Sequence, residues 1–213
     1  MDNENKEKYP VPKEGNDNSA HISNVNVGDG DVFIGNKTEY NFSVEAPKVD
    51  PKAIMMLVEQ YKDVDCKDPK FLAIKEELDD YNLPRKDRPI VGLEGKLKAG
   101  ARSDLYYEAR LQKDKFAKRL SRYEFSAHHC AIHLNLLGRI EERFNSKIRP
   151  LIDGGAPNEA IDHAISELII EPFSEEVSPA DPTLTAKIVR GMLFLLTGNC
   201  YLRWSKNDSI SPS

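Results

Sequence analysis

The sequence predicts a mainly α protein: a helical bundle of about five or six helices preceded by a short β-hairpin leader. Three observations carry this. Apolar residues recur every three or four positions through most of residues 50–204. Asp, Ser and Asn stand where such helices would begin, and Gly or Pro where they would end. The exception is "HISNVNVGDGDVFIGNKTEYNF" (His21 to Phe42), which alternates polar and apolar residues with the period of a strand.

Residues 1–20 are polar and rich in Asn, Lys, Glu and Pro, a composition that buries too little apolar surface to offset ordering, and they read as a disordered leader. Residues 21–45 read as the hairpin element. Val25 and Val27 alternate with Asn24 and Asn26, Gly28-Asp29-Gly30-Asp31 turns, and Val32 and Ile34 resume the alternation. Gly35-Asn36 turns again before Tyr40, Phe42 and Val44. So small a sheet is unstable alone in water and has open edges. Val25, Val27, Val32, Ile34, Tyr40 and Phe42 are therefore the expected partner-binding residues, either pairing with another chain or folding back as a lid.

Asp50-Pro51 opens the first helix, whose face is Ile54, Leu57, Val58 and Tyr61. The second is expected from Pro69 to about Leu83, with Leu72, Ile74, Leu78 and Tyr81 inward. "NLPRKDRPIVG" is a loop, and "LEGKLKAG" a short helix closed by Gly100. Ser103-Asp104 caps a long helix with Leu105, Ala109, Phe116, Leu120 and Tyr123 along one face. After a break near Ser126, another runs from about Ala127 to Leu151 on the stripe Ile132, Leu136, Leu137, Ile140, Phe144 and Ile148. Asn158 is a cap for the next helix, which Pro172 should end or kink. The last is expected from about Pro182 to Trp204. Within it Gly191, Gly198 and Asn199 are poor helix formers, which suggests close packing or a polar contact alongside Phe194 and Trp204. Residues 205–213 read as a frayed tail.

The 213 residues carry a net charge of -5, so there is no general attraction to nucleic acid. Cys66, Cys130 and Cys200 form no CxxC pair and their number is odd, so neither a disulfide framework nor a zinc knuckle is signalled, which fits a reduced, cytoplasmic setting. The N-terminus has no apolar signal segment. The longest strongly apolar run, "GMLFLLTG", is too short to span a bilayer, so no membrane partner is expected.

Two constellations carry candidate chemistry. "HHCAIH" places His129 and His133 one turn apart, with Cys130 near His133, a set of imidazole and thiol donors suited to zinc. No HExxH arrangement and no distant Cys/His pair completes it, and a half-buried helix face suits the same residues. "RLQKDKFAKRLSR" places Arg110, Lys113, Lys118 and Arg122 on one helix, a basic stripe able to meet phosphates. A solvated helix face suits these too. No complete catalytic constellation appears and no cofactor is expected.

Several stretches, taken in order, resemble the C-terminal domain of the third component of bacterial ABC-three component anti-phage systems, a group overlapping the Lamassu systems. They are "IVGLEGKLKAGARSDLYYEARLQKDKFAKRLSRYEFS" (Ile90 to Ser126), "KIRPLIDGGAPNEAIDHAISELIIEPF" (Lys147 to Phe173) and "IVRGMLFLLTGNCYLRW" (Ile188 to Trp204). The leader "GDVFIGNKT" is similar to a segment that precedes such domains, which extends the resemblance from about Asn24 to Trp204. The resemblance implies an SMC-like ABC ATPase and a small middle component as partners. It also implies an effector, often a nuclease or protease, ahead of this domain. Only the leader and hairpin precede it here, so the expectation is a non-enzymatic adaptor or assembly subunit that self-associates through its N-terminal strands and touches nucleic acid only indirectly. The alternatives are a nucleic-acid-binding helical module using the Arg110–Arg122 stripe and a small zinc-dependent enzyme.

Overall fold

The computed structural model describes residues 47–208. The expected leader and the strand residues Val25, Val27, Val32, Ile34, Tyr40 and Phe42 lie outside the described residues. Within them the chain is helical, with no strand. The described residues form seven continuous helices rather than five or six: α1 (Lys52–Tyr61), α2 (Pro69–Asp80), α3 (Gly92–Ala99), α4 (Tyr106–Arg122), α5 (residues 127–154), α6 (residues 158–177) and α7 (Ala186–Gly198). The short α3 stands as a helix in its own right because its far end is closed tightly. Arg102 N–H reaches Leu97 O at 2.7 Å and Ala101 N–H reaches Lys98 O at 3.1 Å, with Ala101 left-handed at φ 55°. The left-handed residue is thus Ala101, and Gly100 answers a different need. A Cβ there would stand 2.8 Å from the Trp204 carbonyl.

Two prolines shape α5 and α6. α5 runs from Ala127–Arg143 through a π-helical turn, Phe144–Ile148, into Arg149–Gly154. α6 runs from Asn158–Ile165 through a second, Ser166–Ile170, into Glu171–Val177. Pro150 and Pro172 each stand two residues past the end of one of these turns. A proline has no N–H for the carbonyl four residues back, and its ring crowds that carbonyl. The wider π turn makes room, so Pro172 does not end its helix. The freed Leu168 carbonyl accepts from Arg143 Nη1 at 2.9 Å. Arg139 and Arg143 lie over the Phe173 ring at 4.7 and 4.4 Å, and Arg139 forks onto the buried Glu176 at 2.7 and 2.8 Å. These contacts fasten α5 to α6.

α7 is the central helix: every residue from Gly191 to Gly198 is buried. It packs against α3, α4, α5 and α6, while α1 and α2 lie on α5. In α2 the inward residues are Phe71, Ile74, Leu78 and Tyr81, and Leu72 is 54% exposed. Leu72 is one position, or about 100°, off the spacing that Phe71 begins.

α7 also stops earlier than its apolar run suggests. Cys200 takes the left-handed conformation at φ 68°, Cys200 N–H meets Thr197 O at 3.1 Å, and Tyr201 N–H meets Leu196 O at 2.9 Å. This reverses the chain after Gly198, so Asn199, Cys200 and Trp204 lie beyond the helix. Nor does the chain fray at 205. Lys206–Asp208 form a 3-10 turn, and Asp208 pairs with the fully buried Lys96 of α3. Among the described residues no helix is long and apolar enough to cross a membrane.

Candidate functional site

A largely buried polar cluster sits where α4 turns into α5. Arg119 is four residues before the end of the α4 helix's C-cap and faces inward, only 8% exposed. A buried guanidinium needs its N–H groups satisfied. Its Nε donates to His133 Nε2 at 3.1 Å, Nη1 donates to Thr183 Oγ1 at 2.8 Å, and Nη2 pairs with Asp181. Asp181 is pre-set by the turn before α7: its Oδ1 accepts from Thr183 N–H at 3.0 Å and from Thr183 Oγ1 at 2.6 Å. The Tyr123 ring contacts the Arg119 guanidinium at 4.7 Å and stacks on the His129 ring at 3.9 Å. Ser126, the N-cap of α5, meets His129 Nδ1 at 2.7 Å.

The protonation states follow from this geometry. Because Arg119 Nε is a donor, His133 Nε2 holds its lone pair and the proton is on Nδ1. Burial, followed by the charge of Arg119, lowers the His133 pKa to about 3. Burial and the neighbouring His128 lower that of His129 to about 4. Burial works against the Asp181 carboxylate, but the Thr183 hydroxyl and Arg119 together hold its pKa below the usual range.

Both histidines are therefore neutral in the fold and titrate near pH 6.5 once unfolded. Their contribution is complete above about pH 6.5 and is lost as pH falls towards about 3, because the unfolded chain then binds protons that the folded chain refuses. Denaturant midpoints measured from pH 8 to pH 4 are expected to hold above pH 7 and decline below 6.5. His133→Gln should flatten that decline, and an unchanged slope would contradict the assignment.

His129, Cys130 and His133 do not converge. His133 is bound by Arg119 and His129 by Ser126. Cys130 Sγ is directed at the carbonyls of Tyr123 and Glu124, at 3.5 and 3.7 Å. Burial raises the Cys130 thiol pKa to about 11, so it is protonated at neutral pH. Among the described residues no group of three or more His, Cys, Asp or Glu side chains is placed to hold a metal.

The basic stripe divides into two. Arg110 and Lys113 border a groove with the start of α3, together with Asp114 and Glu94, and the Lys113 stem crosses Gly198. Lys115, Lys118 and Arg122 instead rim a cavity of about 340 Å³, in which Arg119, Tyr123, Thr183 and Ile188 are the remaining lining.

The packing candidates lie at α7 and just beyond it. A Cβ on Gly191 would stand 2.5 Å from the Gln112 carbonyl of α4. Phe194 is buried. Asn199 Nδ2 donates to Tyr81 O at 2.7 Å, and its own carbonyl accepts from Arg85 N–H at 3.0 Å, which fixes the loop after α2. Buried Trp204 donates from Nε1 to Thr197 Oγ1 at 3.0 Å and packs on Phe144.

Asp181, Thr183, Lys96 and Asp208 are the site and core residues that sequence reasoning did not single out. "Asp-Pro-Thr" reads as an ordinary turn, and its partner Arg119 is 62 residues away, so no local signal joins them.

No curated protein and no solved structure matches the chain. A family model does: C-terminal domain 9 of the ABC-three component (ABC-3C) systems matches residues 92–204. That span opens at the first residue of α3 and closes at Trp204, which leaves α1 and α2 ahead of it. It includes Arg119, His133, Asp181 and all of α7. The chain belongs to the family of ABC-3C C-terminal domain 9.

Proposed function

We propose that the chain is a non-enzymatic adaptor or assembly subunit of a cytoplasmic ABC-3C defence system, contacting the SMC-like ABC ATPase and the middle component. One observation carries this reading. Four buried side chains with catalytic potential in the matched domain are committed to intramolecular bonds: His133 and Asp181 to Arg119, Cys130 to backbone carbonyls, and Glu176 to Arg139. The domain's free chemistry is then its surface. Tyr107 and Leu111, one turn apart on α4, are 74% and 45% exposed, as suits a contact face.

Self-association is assigned to residues 21–45 on their sequence alternation. Co-expression with the ATPase and middle component, followed by affinity capture and light scattering, tests the reading. The full chain is expected to co-purify with both. Deleting residues 1–44 should leave the helical domain folded, since α1 to α7 share their own core, and should lower the mass of the homo-oligomer. Failure to co-purify overturns the adaptor role, and an unchanged mass overturns the assignment of self-association. Metal-dependent nuclease or protease activity in the isolated chain would also contradict the proposal.

A further inference from the structure

We propose that the cavity between the second half of α4 and the start of α7 is a binding site for phosphate groups. Lys115, Lys118 and Arg122 stand at i, i+3 and i+7 on α4 and so share one face. None of the three makes an ion pair or a side-chain hydrogen bond to another described residue. Their cavity, about 340 Å³, has no carboxylate in its lining, although the whole chain is acidic at -5. The two acids nearest these cations along α4 are turned elsewhere. Asp114 borders the groove beside α3, and Glu124 borders a separate pocket against α2. Asp181 is close by but neutralises Arg119, so the excess positive charge belongs to the three rim residues.

Two further features favour an anion. Thr183 and Ile188 bring the N-terminal end of α7 to the cavity, and α7 has no acidic residue in its first turn and no side-chain cap. The positive end of its dipole is therefore unanswered. Thr183 Oγ1 is fixed by Arg119 and Asp181, which makes the floor rigid.

The aromatic in the lining decides which part of a ligand is held. The Tyr123 ring is already engaged by the stacked His129 ring at 3.9 Å and by the Arg119 guanidinium at 4.7 Å, so it is a poor platform for a base. The site reads charge and leaves bases unread, which indicates phosphate. Lys115 to Arg122 spans about 10 Å of helix, the length of about three successive phosphates along one strand. The same chemistry is offered by a nucleic-acid backbone or by the phosphates of a free nucleotide.

Fluorescence anisotropy on the full chain separates these sources, with a labelled 20-mer single strand, the corresponding duplex and a labelled ATP as probes. The variants are Lys118→Glu/Arg122→Glu and, as a control of equal charge change, Lys70→Glu/Lys147→Glu, at two exposed positions away from the cavity lining. Expected is binding of at least one probe that weakens tenfold or more in the double variant and less than twofold in the control. An oligonucleotide should show a salt slope of about -2 to -3, for roughly three phosphates. A response to the oligonucleotides identifies the backbone as source; a response to ATP alone identifies a free nucleotide. No binding by any probe, or equal loss in both variants, overturns the site. Circular dichroism of the double variant guards against unfolding. If it is unfolded, Lys118→Gln/Arg122→Gln replaces it under the same criteria.

Discussion

Asp181→Ala is expected to destabilise the domain by about 3–5 kcal/mol, the range seen when one partner of a buried ion pair is removed. Three losses coincide at this position. Arg119, 8% exposed, keeps its charge and loses its only carboxylate, since its other bonds go to a neutral imidazole and a hydroxyl. Thr183 loses the acceptor for both its N–H and its Oγ1–H. The turn that starts α7 loses the side chain that shapes it. Arg119→Met should cost less, because Asp181 retains both Thr183 bonds and the methionine stem can fill part of the space left over Tyr123. The double variant Arg119→Met/Asp181→Ala should recover part of the Asp181→Ala loss, which gives a coupling energy of opposite sign to the single effects. Urea denaturation of the four proteins at pH 7.5 measures this. A cost below about 1 kcal/mol for Asp181→Ala would show that water reaches Arg119 and that the pair is a surface pair in practice.

The same cluster explains what could be read from sequence and what could not. Helix positions were legible because each rests on local spacing: Ile54, Phe116, Ile132 and Leu136 all fall on faces that their own neighbours define. Errors arose where a local rule met a distant contact. Pro172 is expected to end or kink its helix; the helix continues through it, because a π turn and the Arg143 side chain absorb the missing hydrogen bond. Cys200 lacks the freedom of glycine and yet ends α7 in the left-handed conformation, held by the packing that surrounds it. The zinc alternative for His129, Cys130 and His133 rests on donor spacing alone, and in the fold Arg119, from another helix, takes one of those donors. Long-range polar pairs such as Lys96 with Asp208, 112 residues apart, leave no periodic trace in a single sequence.

Gly191 is the residue whose presence the sequence did flag, and it yields the second large effect. α4 and α7 cross with almost no space between their backbones. A Cβ at Gly191 would stand 2.5 Å from the Gln112 carbonyl oxygen, 3.1 Å from its carbon and 3.0 Å from Phe116 Cβ. None of these atoms can rotate away, because two belong to the α4 backbone and the third is fixed to it. Gly191→Ala gains roughly 1 kcal/mol of intrinsic helix propensity, but it forces the two helices apart and loosens contacts around Phe116 and Met192, both fully buried. Overpacking typically costs about 1–3 kcal/mol. The net result is expected to be destabilising, with a Tm lower by several degrees for a domain of this size. Gly198 provides the contrast. Its Cβ would meet the Lys113 Nζ at 2.8 Å, the far end of a flexible side chain that can swing towards solvent. Gly198→Ala should therefore change stability by less than about 0.5 kcal/mol. Thermal unfolding of the two variants side by side tests the packing directly. Equal melting temperatures would mean that α4 and α7 lie further apart than this geometry requires.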